Sequence, residues 1–411
     1  MRWRIAILIS AAIAISYLDR QTLPVAIKAI GKDIPLTNSQ FSALQSAFLF
    51  SYALMYAGGG RLVDFLGTSR AFLAIMIFWS LACASHALAL SFAMLAASRF
   101  LLGIGEGGGF PAATRAISEW FPAGERATAM GIINAGTAVG AVAAPPLIAA
   151  VLLYAGWRWI FVLTALIGLA WAAWWKISYV PPDSITAQTV APAHSVGATI
   201  FSWTQLIGMR ETWGIVAAKF LSDAAWFFYL FWLPKYLYDA RGFDIKSVGT
   251  FAWMPSAAAG LGCLLGGGFS SFLVRRKFSV NVARKLALGL SVAVMPLAIL
   301  IPHVAIPWVI ALFCLAYFGQ QSWSTLVMVL PADLFPSEVV GSVAGLVGFG
   351  GAMGGILFGE LVGYLLDRNF GYRAVFNIAG TLHIAAFLII LAALPTLLPV
   401  MERQQVAANR I

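Results

Sequence analysis

The chain is expected to fold as an all-α membrane protein, with twelve transmembrane helices in two pseudo-symmetric six-helix bundles. Three observations lead there: an apolar composition, twelve helix-length apolar segments, and an internal repeat that divides them six and six. Of 411 residues, 61% are hydrophobic and only 10% charged, against the roughly 25% charged that is usual in soluble domains. That balance excludes an ordinary soluble enzyme. A spanning helix needs about 20 mostly apolar residues.

In chain order the spans are expected at 5–27, 41–63, 70–91, 93–116, 127–153, 158–178, 213–236, 248–273, 284–302, 306–330, 339–365 and 373–398. The first follows Arg2 and Arg4 as a signal peptide would. It nevertheless runs on past Asp19 and Arg20 without a small-residue cleavage site, so it is expected to be retained. The second leads into Gly58–Gly60, the fourth into Gly103–Gly109, and the fifth follows Phe121-Pro122. Between 179 and 212 the apolar character breaks at Pro181, Pro182, Asp183, Pro192 and His194. The division is therefore a first bundle at 1–178, a cytoplasmic linker at 179–212 and a second bundle at 213–411.

The halves repeat. Phe121-Pro122 before span five matches Phe335-Pro336 before span eleven, and the same offset pairs Gly131 with Gly345, Gly136 with Gly350 and Gly140 with Gly354. One register step later, Gly156 and Arg158 match Gly371 and Arg373. Repeats of this kind mark transporters whose substrate site lies near the midplane between two halves. Small residues four apart also let helices approach closely whatever the protein does.

The net charge of +10 reads as a topology signal and not as a nucleic-acid surface, because short loops of membrane proteins collect Lys and Arg on the inner side. Arg2, Arg4, Arg61, Arg70, Arg275, Arg276, Lys277, Arg284 and Lys285 crowd one side, which places both termini in the cytoplasm. Cys83, Cys263 and Cys314 lie isolated in apolar segments, and His86, His194, His303 and His383 show no ligand spacing. No disulfide frame, metal or cofactor is expected. No nucleophile with its base and no phosphate loop is legible, so the chain is not expected to be an enzyme.

Four charges of the first and fourth spans need a use: Asp19 and Arg20 in the first, Arg99 and Glu106 in the fourth. A charged side chain near the bilayer centre costs at least ~2.5 kcal/mol on insertion scales and is by default a functional-site hypothesis. Arg99 and Glu106 are seven apart, two helical turns, and so share a face. In a low dielectric an unpaired carboxylate takes up a proton while a nearby guanidinium favours the charged form. Asp19 and Glu106 are thus candidates for reversible protonation. Arg20 or Arg99 offers the planar two-donor fork that suits a carboxylate ligand. Lys219 and Asp223, four apart in span seven, are expected to pair structurally, and Glu360 and Asp367 to lie exposed near the outer end of span eleven.

The loop Gly60-Arg61-Leu62-Val63-Asp64-Phe65-Leu66-Gly67-Thr68-Ser69-Arg70 resembles the GxLxDxxGxxR loop of the major facilitator superfamily. Arg61, Asp64 and Arg70 are the expected gating residues. The second-half loop, Gly266 to Arg276, has Ser271 where that pattern expects an aspartate. Tyr17-Leu18-Asp19-Arg20, the stretch Arg99 to Gly107, Glu119-Trp120-Phe121-Pro122 and Gly156-Trp157-Arg158-Trp159 resemble the anion:cation symporter branch. The stretches Tyr229 to Leu237, Gln321 to Thr325 and Leu330 to Pro336 are similar to its hexuronate transporter members, and the resemblance runs nearly end to end.

The resemblance implies proton-driven uptake of a hexuronate, aldonate or similar small organic anion by alternating access. Arg20 is then the substrate-anion ligand, Asp19 and Glu106 the proton carriers, and Arg99 the partner of Glu106. Tyr17 and Tyr52 match positions that line the sugar site, and Asn134 and Thr137 are polar positions of span five. In the second half, Trp226, Tyr229, Gln320, Gln321 and Trp323 offer stacking faces and amides for a polyol. Gly260 departs from the hexuronate-like pattern, which tends to carry an acid there, and Glu360 is an additional charge. Partners are the organic anion, protons and membrane lipid, with no nucleic acid. The chain is expected to act as a monomer in a bacterial inner membrane. The rival readings are a drug/proton antiporter, whose GxxxGPxxGG pattern is missing from span five, and a sugar-acid sensor without transport.

Overall fold

The computed structural model describes residues 2–121, 123–180, 203–335 and 337–397. No strand occurs among them, and the helices in order are α1 (Arg2–Asp33), α2 (Asn38–Leu66), α3 (Thr68–Ser85), α4 (Phe92–Gly107), α5 (Gly109–Trp120), α6 (Ala123–Tyr154), α7 (Trp157–Ser178), α8 (Trp203–Gly208), α9 (Arg210–Arg241), α10 (Ile245–Phe251), α11 (Trp253–Arg275), α12 (Val280–Ala293), α13 (Ile306–Leu334), α14 (Ser337–Asp367) and α15 (Gly371–Ala393). Short 3-10 turns follow α3 and α12. Of the linker expected at 179–212, residues 181–202 lie outside the described residues.

Nine helical segments among the described residues are long and apolar enough to cross a membrane. The other three expected spans are helical too, as α2, α4 with α5, and α13. The fourth is interrupted: α4 has 16 residues and ends at Gly107, with α5 resuming at Gly109.

Each boundary has a local cause. Pro35 follows α1, and Thr37 opens α2 with a capping box, its side chain accepting from the Gln40 amide while the Gln40 side chain accepts from the Thr37 amide. That reciprocal pair satisfies two donors the helix start leaves over. Gly67, at φ 74°, turns the chain from α2 into α3, a conformation that L side chains adopt only under strain.

Contacts group the chain into two compact units. Unit 1 comprises Met1–Ser195, Leu230–Met254 and Val362–Asp367; unit 2 comprises Val196–Tyr229, Pro255–Leu361 and Arg368–Ile411. In unit 1, α1 packs along α6, α2 along α4 and α3 along α7, while α10 lies against α6. The last part of α9 is fixed there by Tyr238, whose hydroxyl donates to the Val25 carbonyl at 2.8 Å, and by Trp232, whose ring meets Phe41 edge-on at 4.9 Å. Of the two acids expected to lie exposed, Glu360 is half-buried and Asp367 is exposed, where it accepts the Asn38 and Ser39 amides at 2.9 Å each, capping α2. A carboxylate there complements the positive end of the helix dipole. In unit 2, α12 packs on α13 and α15, and Leu206, Ile215, Trp323, Leu330, Val347 and Ile390 contribute to one apolar core.

The repeat is visible in the packing. A Cβ on Gly136 or Gly140 of α6 would run into the backbone of Ser10 or Ala14 on α1. In unit 2 a Cβ on Gly354 of α14 would strike the Phe220 carbonyl of α9, and one on Gly350 would meet Val216. Gly131 and Gly345, the third pair, both face open space. Ser10 and Ala14 therefore take the places that Val216 and Phe220 take, which sets the register between α1 and α9.

Candidate functional site

The site of unit 1 is built where α1, α2, α3 and α4 meet. Gly103 and Gly107 of α4 leave no room for a Cβ against Ser51, Phe48 and Tyr52 of α2, and Gly105 none against Trp79 of α3. Close approach of backbones is the usual service of small residues in lipid. Here it brings Glu106, flanked by two of those glycines, against α1.

Arg20 Nε donates to Glu106 Oε2 at 2.7 Å, and Ser16, one turn earlier on α1, donates its hydroxyl to the same oxygen at 2.6 Å. Both partners of the ion pair are buried. The guanidinium lies over three rings, Tyr52 at 4.6 Å, Tyr17 at 4.8 Å and Phe48 at 5.5 Å from their centroids. Such stacking holds the planar cation in one orientation. Tyr17 and Tyr52 are only partly buried, so the aromatic collar is its less enclosed side.

Glu106 pairs with Arg20 and not with Arg99, which corrects the partner expected from sequence. The two residues lie two turns apart on one helix, and side chains tilt towards the helix N-terminus, so Arg99 reaches away from Glu106. Its guanidinium instead donates to Gln45 Oε1 at 3.2 Å and to the Arg20 carbonyl at 3.5 Å, and sits 5.5 Å from the Phe48 ring. Arg99 Nε and Nη1 and Glu106 Oε1 are buried with no hydrogen-bond partner among the described residues.

Asp19 is held differently. It faces α3, where Trp79 Nε1 donates to Oδ2 at 2.6 Å and Cys83 Sγ to Oδ1 at 3.5 Å, with Thr164 Oγ1 3.2 Å beyond the sulfur. Among the described residues it makes no ion pair. The unit thus buries two carboxylates of distinct kind, one on a guanidinium and one on neutral donors. Ser16 is within sequence reach of Arg20, one turn away. Trp79, Gln45 and Phe48 carry no sequence signal, since an indole, an amide and a ring in an apolar segment read as packing.

The remaining expected residues separate. Asn134 is exposed on α6 and Thr137 is half-buried, its hydroxyl donating to the Asn134 carbonyl at 2.7 Å. In unit 2, Trp226 and Gln321 are half-buried, Trp226 meeting Tyr317 edge-on at 5.2 Å and Gln321 accepting from Cys263 Sγ at 3.9 Å. Tyr229 and Trp323 are fully buried, and the Tyr229 hydroxyl and Trp323 Nε1 have no hydrogen-bond partner among the described residues. The Gln320 amide is engaged at both ends, donating to Asp223 Oδ1 at 3.4 Å and meeting His383 Nε2. Asp223 also takes Lys219 Nζ at 3.0 Å, and Lys219 reaches Ser324 Oγ at 2.7 Å.

Of the expected gating residues, the side chains of Arg61 and Asp64 lie outside the described residues, and Arg70 is exposed in the first turn of α3. What the loop does contribute is Thr68, which donates to Glu119 Oε1 at 2.8 Å beside Arg115 at 2.9 Å, while the Tyr179 hydroxyl donates to Oε2 at 3.2 Å. The repeat offset carries Glu119 to Asp333. That carboxylate pairs with Arg284 at 2.8 Å, and Arg284 also donates to Ser270. Each unit therefore has its own carboxylate clasp on the side where Arg and Lys crowd.

The description "Major Facilitator Superfamily" belongs to the family model that matches residues 9–359. The hexuronate transporter of Escherichia coli strain K12 is 32% identical over 401 residues, covering 93% of this chain and 93% of that protein. The galacturonate transporter of Dickeya chrysanthemi is 33% identical over 308 residues, covering 72% of this chain and 89% of that protein. Among solved structures, a bacterial homolog of the human lysosomal transporter Spinster superposes with a TM-score of 0.72 at 17% identity, covering 95% of this chain and 94% of that chain. That likeness concerns the fold.

Proposed function

The chain belongs to the major facilitator superfamily, and from that premise we propose that it imports a hexuronate, aldonate or similar small organic anion together with protons by alternating access. The observation that carries this reading is the buried pair of Arg20 with Glu106, set in a collar of partly buried tyrosines. Relatives named for hexuronate and galacturonate transport support the substrate class.

The geometry supplies a coupling mechanism. While Glu106 is ionised it holds Arg20 through Nε. A proton on Glu106 cancels the charge that holds the guanidinium, and Arg20 turns its donor fork to the substrate carboxylate. Arg99, with Nε and Nη1 uncommitted, adds positive potential and donors nearby. Tyr17 and Tyr52 flank the guanidinium and offer hydroxyls and ring faces to the sugar. Proton and anion then bind cooperatively, and the coupling is reciprocal. Asp19, held by neutral donors of α3, is the second proton carrier.

In this reading the protein works in a bacterial cytoplasmic membrane with both termini inside, an orientation that the bias of its basic loops supports. The test offers radiolabelled glucuronate, galacturonate and galactonate to proteoliposomes carrying an inward proton gradient. At least one is expected to accumulate above its external concentration and to stop doing so when a protonophore is added. Accumulation that persists without a proton gradient, or export of lipophilic cations in its place, overturns the proposal.

A further inference from the structure

At the end of α1 away from the amino terminus, unit 1 holds a cavity of about 420 Å³ lined by Ile27, Lys28, Gly31, Lys32, Pro35, Leu36, Phe41, Lys235 and Asp239. Its size falls within the range of small-molecule sites. Three lysines and one aspartate are among the lining residues, and the aspartate is engaged by Lys235, one turn away on α9. Among the described residues neither Lys28 nor Lys32 makes an ion pair; Lys28 sits 5.4 Å from the Tyr238 ring, and both are exposed. The cavity therefore carries a positive potential that its own residues do not cancel.

The rest of the lining suits a sugar acid rather than a bare inorganic ion. Ile27, Pro35, Leu36 and Phe41 give apolar walls for C–H faces, and a Cβ on Gly31 would meet nothing within 4 Å, so the wall is low at that point. Beside the cavity Val25, Trp232 and Leu237 are fully buried, and the Tyr238 hydroxyl is tied to the Val25 carbonyl. On α1, Lys28 and Lys32 lie eight and twelve residues beyond Arg20, about 12 and 18 Å along the axis at ~1.5 Å per residue.

We propose that this lysine-lined cavity is a second, shallower anion site, which collects the carboxylate of the sugar acid before it passes to Arg20. This rests on the proposed substrate class but not on the coupling mechanism. A like-signed cluster at a low-dielectric mouth raises the local concentration of its counter-ion and the rate of encounter, with a steep dependence on salt.

The experiment compares wild type with the Lys28→Gln/Lys32→Gln double variant, and with Gly31→Phe, which fills the cavity without changing charge. In proteoliposomes of zwitterionic lipid, KM for uptake is expected to rise about 3- to 10-fold in both while Vmax stays within about twofold, as loss of steering predicts. KM of the wild type should climb with ionic strength, and that of the double variant should not. In the Arg20→Ala background, where uptake is lost, calorimetric titration with galacturonate, glucuronate or galactonate should still show weak, salt-sensitive binding that disappears with the two lysine replacements. Failure of the wild type to accumulate any of the acids overturns the proposed function, whereas the Arg20→Ala titrations decide the cavity alone. An unchanged KM and salt dependence, or a difference appearing only when anionic lipid is added, overturns the proposal in favour of solvated lysines or a lipid headgroup contact.

Discussion

Two buried ion pairs stand on equivalent helices of the two units, and they are built differently. With Ser10 and Ala14 matched to Val216 and Phe220 by the glycines that meet them, Ser16 corresponds to Ser222, Tyr17 to Asp223 and Arg20 to Trp226. In unit 1 the pair joins two helices, Arg20 of α1 to Glu106 of α4. In unit 2 it lies within one helix, Lys219 to Asp223 four residues on, sealed by Gln320, Ser324 and His383. The charges of the first pair belong to two helices, whereas those of the second belong to one and meet the neighbouring helix only through neutral partners. Under the proposed function, one backbone scaffold carries a coupling element in one half and a stabilising one in the other.

The comparison breaks most sharply on paired replacements. Removing one member of a buried pair strands the other and costs about 3–5 kcal/mol, whereas replacing both by apolar groups of similar volume is often neutral. Lys219→Met or Asp223→Leu alone should therefore lower thermal stability and expression strongly. The double variant should recover both together with transport, as a melting curve and an uptake assay would show. Arg20→Met/Glu106→Leu should recover folding and nothing of transport. Transport lost in the rescued unit 2 variant would make its pair functional and erase the distinction.

A smaller effect tests the register. Gly140→Val and Gly354→Val each push a side chain into a backbone carbonyl and should destabilise by about 1–3 kcal/mol or more, as overpacking does. Gly131→Ala and Gly345→Ala face open space and should be tolerated in the same melting assay. Equal damage at all four would show that the repeat in sequence is not a repeat in packing.

The smallest concerns the two neighbouring amides of α13. Gln320→Leu, which removes a bond to Asp223 and the contact with His383, should lower stability by about 1–3 kcal/mol, the usual penalty for leaving buried polar partners unsatisfied. Gln321→Leu leaves the buried network intact and should raise KM several-fold with little loss of stability.

What the sequence revealed follows from which signals are local. The apolar periods and the turn glycines Gly67, Gly156 and Gly371, all at positive φ, mark helices and their ends directly. Of the three glycine pairs at the repeat offset, Gly136 with Gly350 and Gly140 with Gly354 meet a facing helix, and Gly131 with Gly345 do not. The four charges of α1 and α4 stood out because lipid makes them costly, and all four are buried. Partnership was not legible, because it depends on side-chain direction and on helices distant in sequence: Arg99 shares a face with Glu106 yet points the other way, and Trp79 reaches Asp19 from α3. Depth alone also failed to separate Gln321 from the fully buried Gln320, Tyr229 and Trp323.

The central claim is that Glu106, by releasing or holding Arg20, ties proton to anion. It is tested most directly by measuring accumulation and exchange of a sugar acid in the same proteoliposomes containing Glu106→Gln. Without a titrating carboxylate, uphill accumulation should vanish, the internal-to-external ratio settling near ~1 because proton and anion no longer bind as a coupled pair, while exchange of labelled for unlabelled substrate continues. Gradient-driven accumulation at the wild-type level in Glu106→Gln would contradict the account.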